Sequence, residues 1–166
     1  YANPVLPEAL MYAWLITGKR KYREIAETTF DFLLSHYFMK GQIRVISNDG
    51  WFDKRNKRTF HGEQPIEVAY TIFSLDLFYH VTRKKKFADQ LRIAFSWFLG
   101  NNHLHQIMYN PANGASYDGL EKNNVNINQG AESSLCYFMA RLIAERYPTM
   151  ATEENKPSYK SPITIS

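Results

Sequence analysis

Apolar residues recur at helical spacing in five stretches of the chain. Leu6 to Thr17 is the first predicted helix, with Pro7 suited to its first turn. Lys21 to Tyr37 is the second, with Tyr22, Ile25, Ala26, Thr29 and Leu33 on one stripe. Ile66 to Val81 is the third. Phe87 to Leu99 is the fourth, its stripe Phe87, Leu91, Ala94, Phe95 and Phe98 closed by Gly100 and Asn101. Gly130 to Tyr147 is the fifth. The second and fourth carry a polar side and read as outer helices. The third, and the start of the fifth (Leu135 to Ala140), are apolar nearly all round, which predicts burial on every side.

A self-comparison at a shift of 65 residues organises these elements. Ile16-Thr17-Gly18-Lys19 falls on Val81-Thr82-Arg83-Lys84, Phe30 on Phe95, Gln64 on Gln129 and Glu67 on Glu132. The pattern is a helical hairpin repeated, with an insertion between copies. Residues 1–147 read as one all-α domain and 148–166, rich in Pro, Ser and Lys, as a C-terminal tail. In the first insertion, strand-like runs around Asn48-Asp49-Gly50 predict a small β-hairpin arm over residues 42–60. The second, residues 101–129, reads as a long asparagine-rich loop, and loops of that length are usually functional or disordered.

Composition narrows the function. With 166 residues the chain can bury a core without staples, and its single Cys136 points to a reducing, cytoplasmic compartment. No apolar stretch reaches the roughly 18 residues of a membrane span. The net charge of +4 comes from three basic clusters, two of them in turns between helices, a solvated-turn pattern rather than a nucleic-acid face. Phosphate-loop and dinucleotide signatures are absent, so no cofactor is expected. His103-x-His105 lacks the further ligands a metal site needs, and no metal is expected.

Two constellations carry candidate chemistry. Gln64 with Glu67, and Gln129 with Glu132, stand in the first turns of the third and fifth helices, where the helix dipole favours a carboxylate. His61 and Glu63 lie just upstream. The second constellation is Tyr117-Asp118-Gly119-Leu120 with Asn123, Asn124, Asn126 and Asn128, and with Trp51 and Phe52 as further aromatics. Amides and carboxylates that pair with hydroxyls, beside aromatic planes for ring C–H faces, suit a sugar. The plainer alternatives are ordinary helix-start acids and a loop whose asparagines bond their own backbone.

The segments Trp97-Phe98-Leu99-Gly100-Asn101-Asn102, Tyr117-Asp118-Gly119-Leu120 and Asn126-Ile127-Asn128-Gln129-Gly130-Ala131-Glu132-Ser133, with Glu63-Gln64-Pro65-Ile66-Glu67 upstream, resemble a bacterial toroid domain. That domain is found C-terminal to, or encoded beside, glycosyltransferases of polysaccharide metabolism. The alternation also resembles the six-hairpin glycosidase-like (α/α) toroids, which include N-acylglucosamine 2-epimerases and have about twelve helices. The resemblance implies that residues 1–147 are a partial toroid, the C-terminal part of a ring with an open apolar edge. It also implies a carbohydrate ligand, and as further partners the upstream helices or a glycosyltransferase. By motif it marks Gln64, Glu67, Asp118, Asn128, Gln129 and Glu132 as pocket residues. The epimerases' paired histidines have no counterpart assigned here.

The expected pocket therefore lies at the N-terminal ends of the inner helices. Glu67, Glu132 and Asp118 are its candidate catalytic groups. Trp51, His61, Glu63, Gln64, Tyr117, Asn126, Asn128 and Gln129 are its candidate substrate contacts. A glycosidase-like or glycosyltransferase-linked enzyme, a non-catalytic glycan-binding module and a protein-interaction scaffold all remain open.

Overall fold

The computed structural model describes residues 2–48 and 58–147. Five helices dominate: α1 (Val5–Thr17), α2 (Arg20–Tyr37), α3 (Pro65–Thr82), α4 (Lys85–Ser96) and α5 (Ala131–Ala144). The two short strands β1 (Phe38–Met39) and β2 (Gln42–Ile43) follow α2, and β3 (Gly119–Leu120) and β4 (Val125–Asn126) precede α5. Both pairs are antiparallel.

The repeat is visible in the geometry. Gly18 and Arg83, 65 positions apart, both end their helices in the left-handed conformation, with φ of 68° and 57°. One residue earlier, Thr17 and Thr82 each donate their hydroxyl back to the preceding turn, and each accepts the backbone N–H of the lysine two residues on at 3.3 Å. The matching Thr-x-Lys sequence thus builds the same tight reversal twice. Lys84 and Lys86, from the basic cluster at the second reversal, reach back to Glu27 and Asp31 on α2.

Three helices run side by side in the same direction. Asn3, just before α1, bonds Glu67 in the first turn of α3, and Glu8 meets Ser74 further along both. At the other end Asp76 of α3 accepts from Arg146 and Tyr147, just past α5. α2 and α4 return antiparallel as the outer members of the α1–α2 and α3–α4 hairpins. The N-terminal ends of α1, α3 and α5 therefore gather at one end of the domain, with both insertions.

The core lies between these layers. α3 is sunk as its sequence predicts: Val68, Ala69, Ile72, Leu75 and Phe78 are buried. The buried stripe of α2 is Ala26, Phe30, Leu34 and Tyr37, rotated from the expected one. Its anchor is Phe30, whose ring lies 4.3 Å from Phe78 and 6.0 Å from Phe87. That three-ring contact draws the helix round and leaves Ile25 partly exposed.

The Asp49-Gly50 turn expected in the first insertion lies outside the described residues. Before it, β1 and β2 form a hairpin that the sequence pattern did not signal, turning at Lys40-Gly41. There φ values of 51° and 76° give the two-residue turn that suits strand twist. Residues 101–129 are not a strand-free loop, since β3 and β4 form a hairpin within them. The start of α5 is not buried on every side: it buries Cys136, Tyr137, Ala140 and Ala144 but exposes Leu135, Phe138, Met139 and Leu142. Among the described residues, no helix is long and apolar enough to cross a membrane.

Candidate functional site

The segment entering α3 joins the two insertions. Glu63 exchanges backbone hydrogen bonds with Leu120 at 3.0 and 2.8 Å, an isolated antiparallel bridge on the β3–β4 hairpin. Gly62 makes this possible. Its φ is +81°, and a Cβ there would fall 2.3 Å from Asn48 Oδ1.

The Glu63 side chain is fully buried. Oε1 accepts Arg44 Nε at 2.6 Å, and Oε2 accepts the Trp97 indole N–H at 2.7 Å. Burial pushes this carboxyl above the usual range, and Arg44, Trp97 and Arg58 pull against it. Arg44 also donates to Phe60 O at 2.6 Å. Arg58 donates to the carbonyls of His36, Arg44 and Val45, and the Phe60 ring lies 5.3 Å from the Arg44 guanidinium and 4.9 Å from that of Arg58. This ionic nest clamps the end of α2, the first insertion and the segment before α3.

Glu67 occupies a second nest. The Tyr37 hydroxyl donates to Oε2 and Asn3 Nδ2 to Oε1, each at 3.0 Å. Burial and the neighbouring carboxylate push the Tyr37 phenol well up, so it stays protonated and serves as a donor. Glu67 thus holds the starts of α1 and α3 to the end of α2. Gln64, half-buried in the extended conformation, is the N-cap residue of α3.

Around α5 the arrangement is more open. Asp118 Oδ1 accepts the Gly130 N–H at 2.8 Å, and the Asp118 N–H is shared between Asn126 O and Asn128 O. The carboxylate therefore fixes the start of α5 against the hairpin. A Cβ on Gly130 would lie 2.9 Å from that oxygen, which is why glycine fits there. Asn126 Oδ1 accepts the Asn128 N–H at 3.2 Å, a local turn of the kind short polar side chains make. Gln129 Oε1 accepts Asn113 Nδ2 at 2.8 Å, tying the loop around residue 113 to the helix start. Gln129, Asn126, Asn128 and Glu132 are exposed, while Tyr117 is half-buried against the core.

His61 is half-buried, its carbonyl accepting the Ser47 hydroxyl. Its ring centroid is 5.7 Å from that of His103, whose Nε2 pairs with Glu121 O at 2.9 Å. Burial and the Arg44 charge hold His103 below the ordinary imidazole range. Trp51 lies outside the described residues. Cys136 is buried, and burial beside Glu132 pushes its thiol up to about 11.

The structure therefore separates the sequence candidates. Glu63 and Glu67 have both carboxylate oxygens hydrogen-bonded inside the protein, and Asp118 braces a helix start. Glu132, Gln129, Asn126 and Asn128 share an exposed surface where α5 begins. Arg44, Trp97, Tyr37 and Asn3 complete the buried nests and were not anticipated. Arg44 had a visible signal, as a lone cation between Ile43 and Val45 in an apolar run. Among the described residues, no group of three or more His, Cys, Asp and Glu is placed to hold a metal ion. No protein-family model matches the chain, and no curated protein matches it.

Proposed function

We propose that this chain is part of an (α/α) toroid that binds a glycan at the N-terminal ends of its inner helices. The observation that carries this reading is the gathering of three parallel helix starts and both insertions at one end. The surface at the start of α5 offers amide and carboxylate groups from Gln129, Asn128, Asn113 and Glu132, at a helix N-terminus whose dipole favours negatively charged groups. Such groups pair with the alternating donors and acceptors of sugar hydroxyls.

The reading stops at binding. Protonating a glycosidic oxygen takes a carboxyl group open to substrate, with a second carboxylate at a set separation. Glu63 and Glu67 are committed to buried partners, so glycan recognition accounts for the arrangement better than hydrolysis. Saturation-transfer NMR of the chain with mannose, glucose, N-acetylglucosamine and their short oligomers tests this. Binding should be lost in Glu132→Gln and weakened in Gln129→Ala. A folded chain that binds none of these sugars, or binds equally in both variants, overturns it.

A second reading, a protein-contact scaffold, has its own support. Leu135, Phe138, Met139 and Leu142 form an exposed apolar stripe on α5, and Leu6, Leu15 and Ile16 are exposed on α1. A partial ring would show such stripes on its two outermost inner helices. Contiguous apolar surface of this kind marks association sites.

A further inference from the structure

A groove of about 270 Å³ opens where α1, α3 and α5 meet, lined by Glu8, Tyr12, Phe73, Asp76, His80 and Arg146 among others. It lies along the later turns of α3, away from the helix starts described above. Its polar wall is built. Asp76 Oδ1 accepts the Tyr147 hydroxyl at 2.6 Å and Oδ2 accepts Arg146 Nη2 at 3.0 Å. His80 Nδ1 sits 2.9 Å from Asp76 O. Across the groove, Glu8 Oε2 accepts the hydroxyl of the fully buried Ser74 at 2.7 Å, which fixes the carboxyl in place.

Both carboxyl groups of the groove are already engaged: Arg146 pairs with Asp76, and the Ser74 hydroxyl holds Glu8, whose carboxyl burial raises. The Tyr12 phenol is held up by its own burial and by the nearby Glu8 and Asp76, so it stays a donor. An entering cation would compete with Arg146 for Asp76 and with the Ser74 hydroxyl for Glu8. A neutral molecule with several hydroxyls would find donors and acceptors on both the α1 and the α3 wall, with the Tyr12 and Phe73 rings among the lining residues. The volume falls just below the roughly 300–1,000 Å³ of drug-sized pockets, which suits one small ring.

We propose that this groove is a second ligand site, taking a single neutral polyol ring such as one monosaccharide unit, with Glu8, Tyr12 and His80 as its contacts. It shares the ligand class of the preceding reading but none of its residues. The test is a ¹H–¹⁵N NMR titration of the 166-residue chain with methyl glycosides of glucose, mannose and N-acetylglucosamine, with phosphate and tetramethylammonium as charged probes. At least one glycoside should shift the amides around Tyr12 and His80. Tyr12→Ala, at an exposed position, should weaken that response at least fivefold, and Glu132→Gln should leave it unchanged. Glycoside shifts confined to the start of α5 and lost in Glu132→Gln overturn this proposal and sustain the earlier one. Shifts confined to the groove do the reverse. Groove shifts produced by the charged probes alone, or unchanged in Tyr12→Ala, overturn it as well.

Discussion

Trp97 donates its indole N–H to Glu63 at 2.7 Å inside a core where neither residue reaches solvent. The other carboxylate oxygen belongs to Arg44, so one acidic side chain joins the end of α4 to both sides of the first insertion. Breaking a buried pair by removing one partner costs about 3–5 kcal/mol, since the other charge is left uncompensated. Arg44→Met should therefore destabilise the domain by about that amount in urea unfolding. Adding Glu63→Gln removes the stranded charge while keeping an acceptor for Trp97. The double variant should be more stable than Arg44→Met alone. If the second substitution lowers stability further, the ion pair is not what holds this corner.

Gly62 tests the link between the insertions. At φ +81° a side chain is strained, and a Cβ would fall 2.3 Å from Asn48 Oδ1, well inside contact distance. Gly62→Ala should cost on the order of 1–3 kcal/mol. It should also accelerate hydrogen exchange at the Leu120 and Glu63 amides, which bond across the bridge. Unchanged exchange at those amides would show that the bridge does not depend on this turn.

The fold was legible where one physical rule dominated. Helical periodicity located all five helices, and the Thr-x-Lys repeat located both reversals, because each is a local pattern of a few residues. The α2 stripe was misplaced because its rotation is set by the Phe30–Phe78 ring contact, between residues 48 positions apart. The Lys40-Gly41 turn escaped because its lysine adopts a positive φ, a conformation that this residue type does not signal. At the site, acidic residues near helix starts could be found, but not their fates. Glu67 and Glu132 occupy equivalent repeat positions, yet one is buried under Tyr37 and Asn3 and the other faces solvent. What separates them is the neighbouring helix and its partner side chains, which no local pattern encodes.

Glu8 should leave a signature in the pH dependence of stability. Burial raises its carboxyl above the ordinary carboxylate range, so the folded state holds a proton more tightly than the unfolded chain. Its stabilising contribution is complete below the unfolded value and is lost as pH rises through the raised folded value. Glu8→Gln keeps an acceptor for Ser74 and cannot ionise. The wild type should therefore lose stability relative to Glu8→Gln as pH rises through and above the ordinary carboxylate range. Midpoints of urea unfolding for both proteins between about pH 3.5 and 7.5 read the difference directly. Parallel curves would mean that Glu8 is as well solvated as in the unfolded chain.

The apolar stripe on α5 separates association from folding. Leu135, Phe138, Met139 and Leu142 recur at helical spacing and remain 63%, 60%, 52% and 60% exposed, so their side chains add little to the core. Replacing Leu135 and Phe138 together with serine should change stability by no more than about 0.5 kcal/mol per site, as for ordinary surface positions. The same pair should sharply reduce self-association in sedimentation velocity and binding of a hydrophobic dye. By contrast, Tyr137→Ala, on the buried face against Phe98 and Tyr109, should cost about 3–5 kcal/mol, by analogy with other large aromatic truncations. If the serine pair unfolds the domain as readily as Tyr137→Ala, the exposed stripe is part of its core, and its role as an edge for neighbouring helices or a partner falls with it.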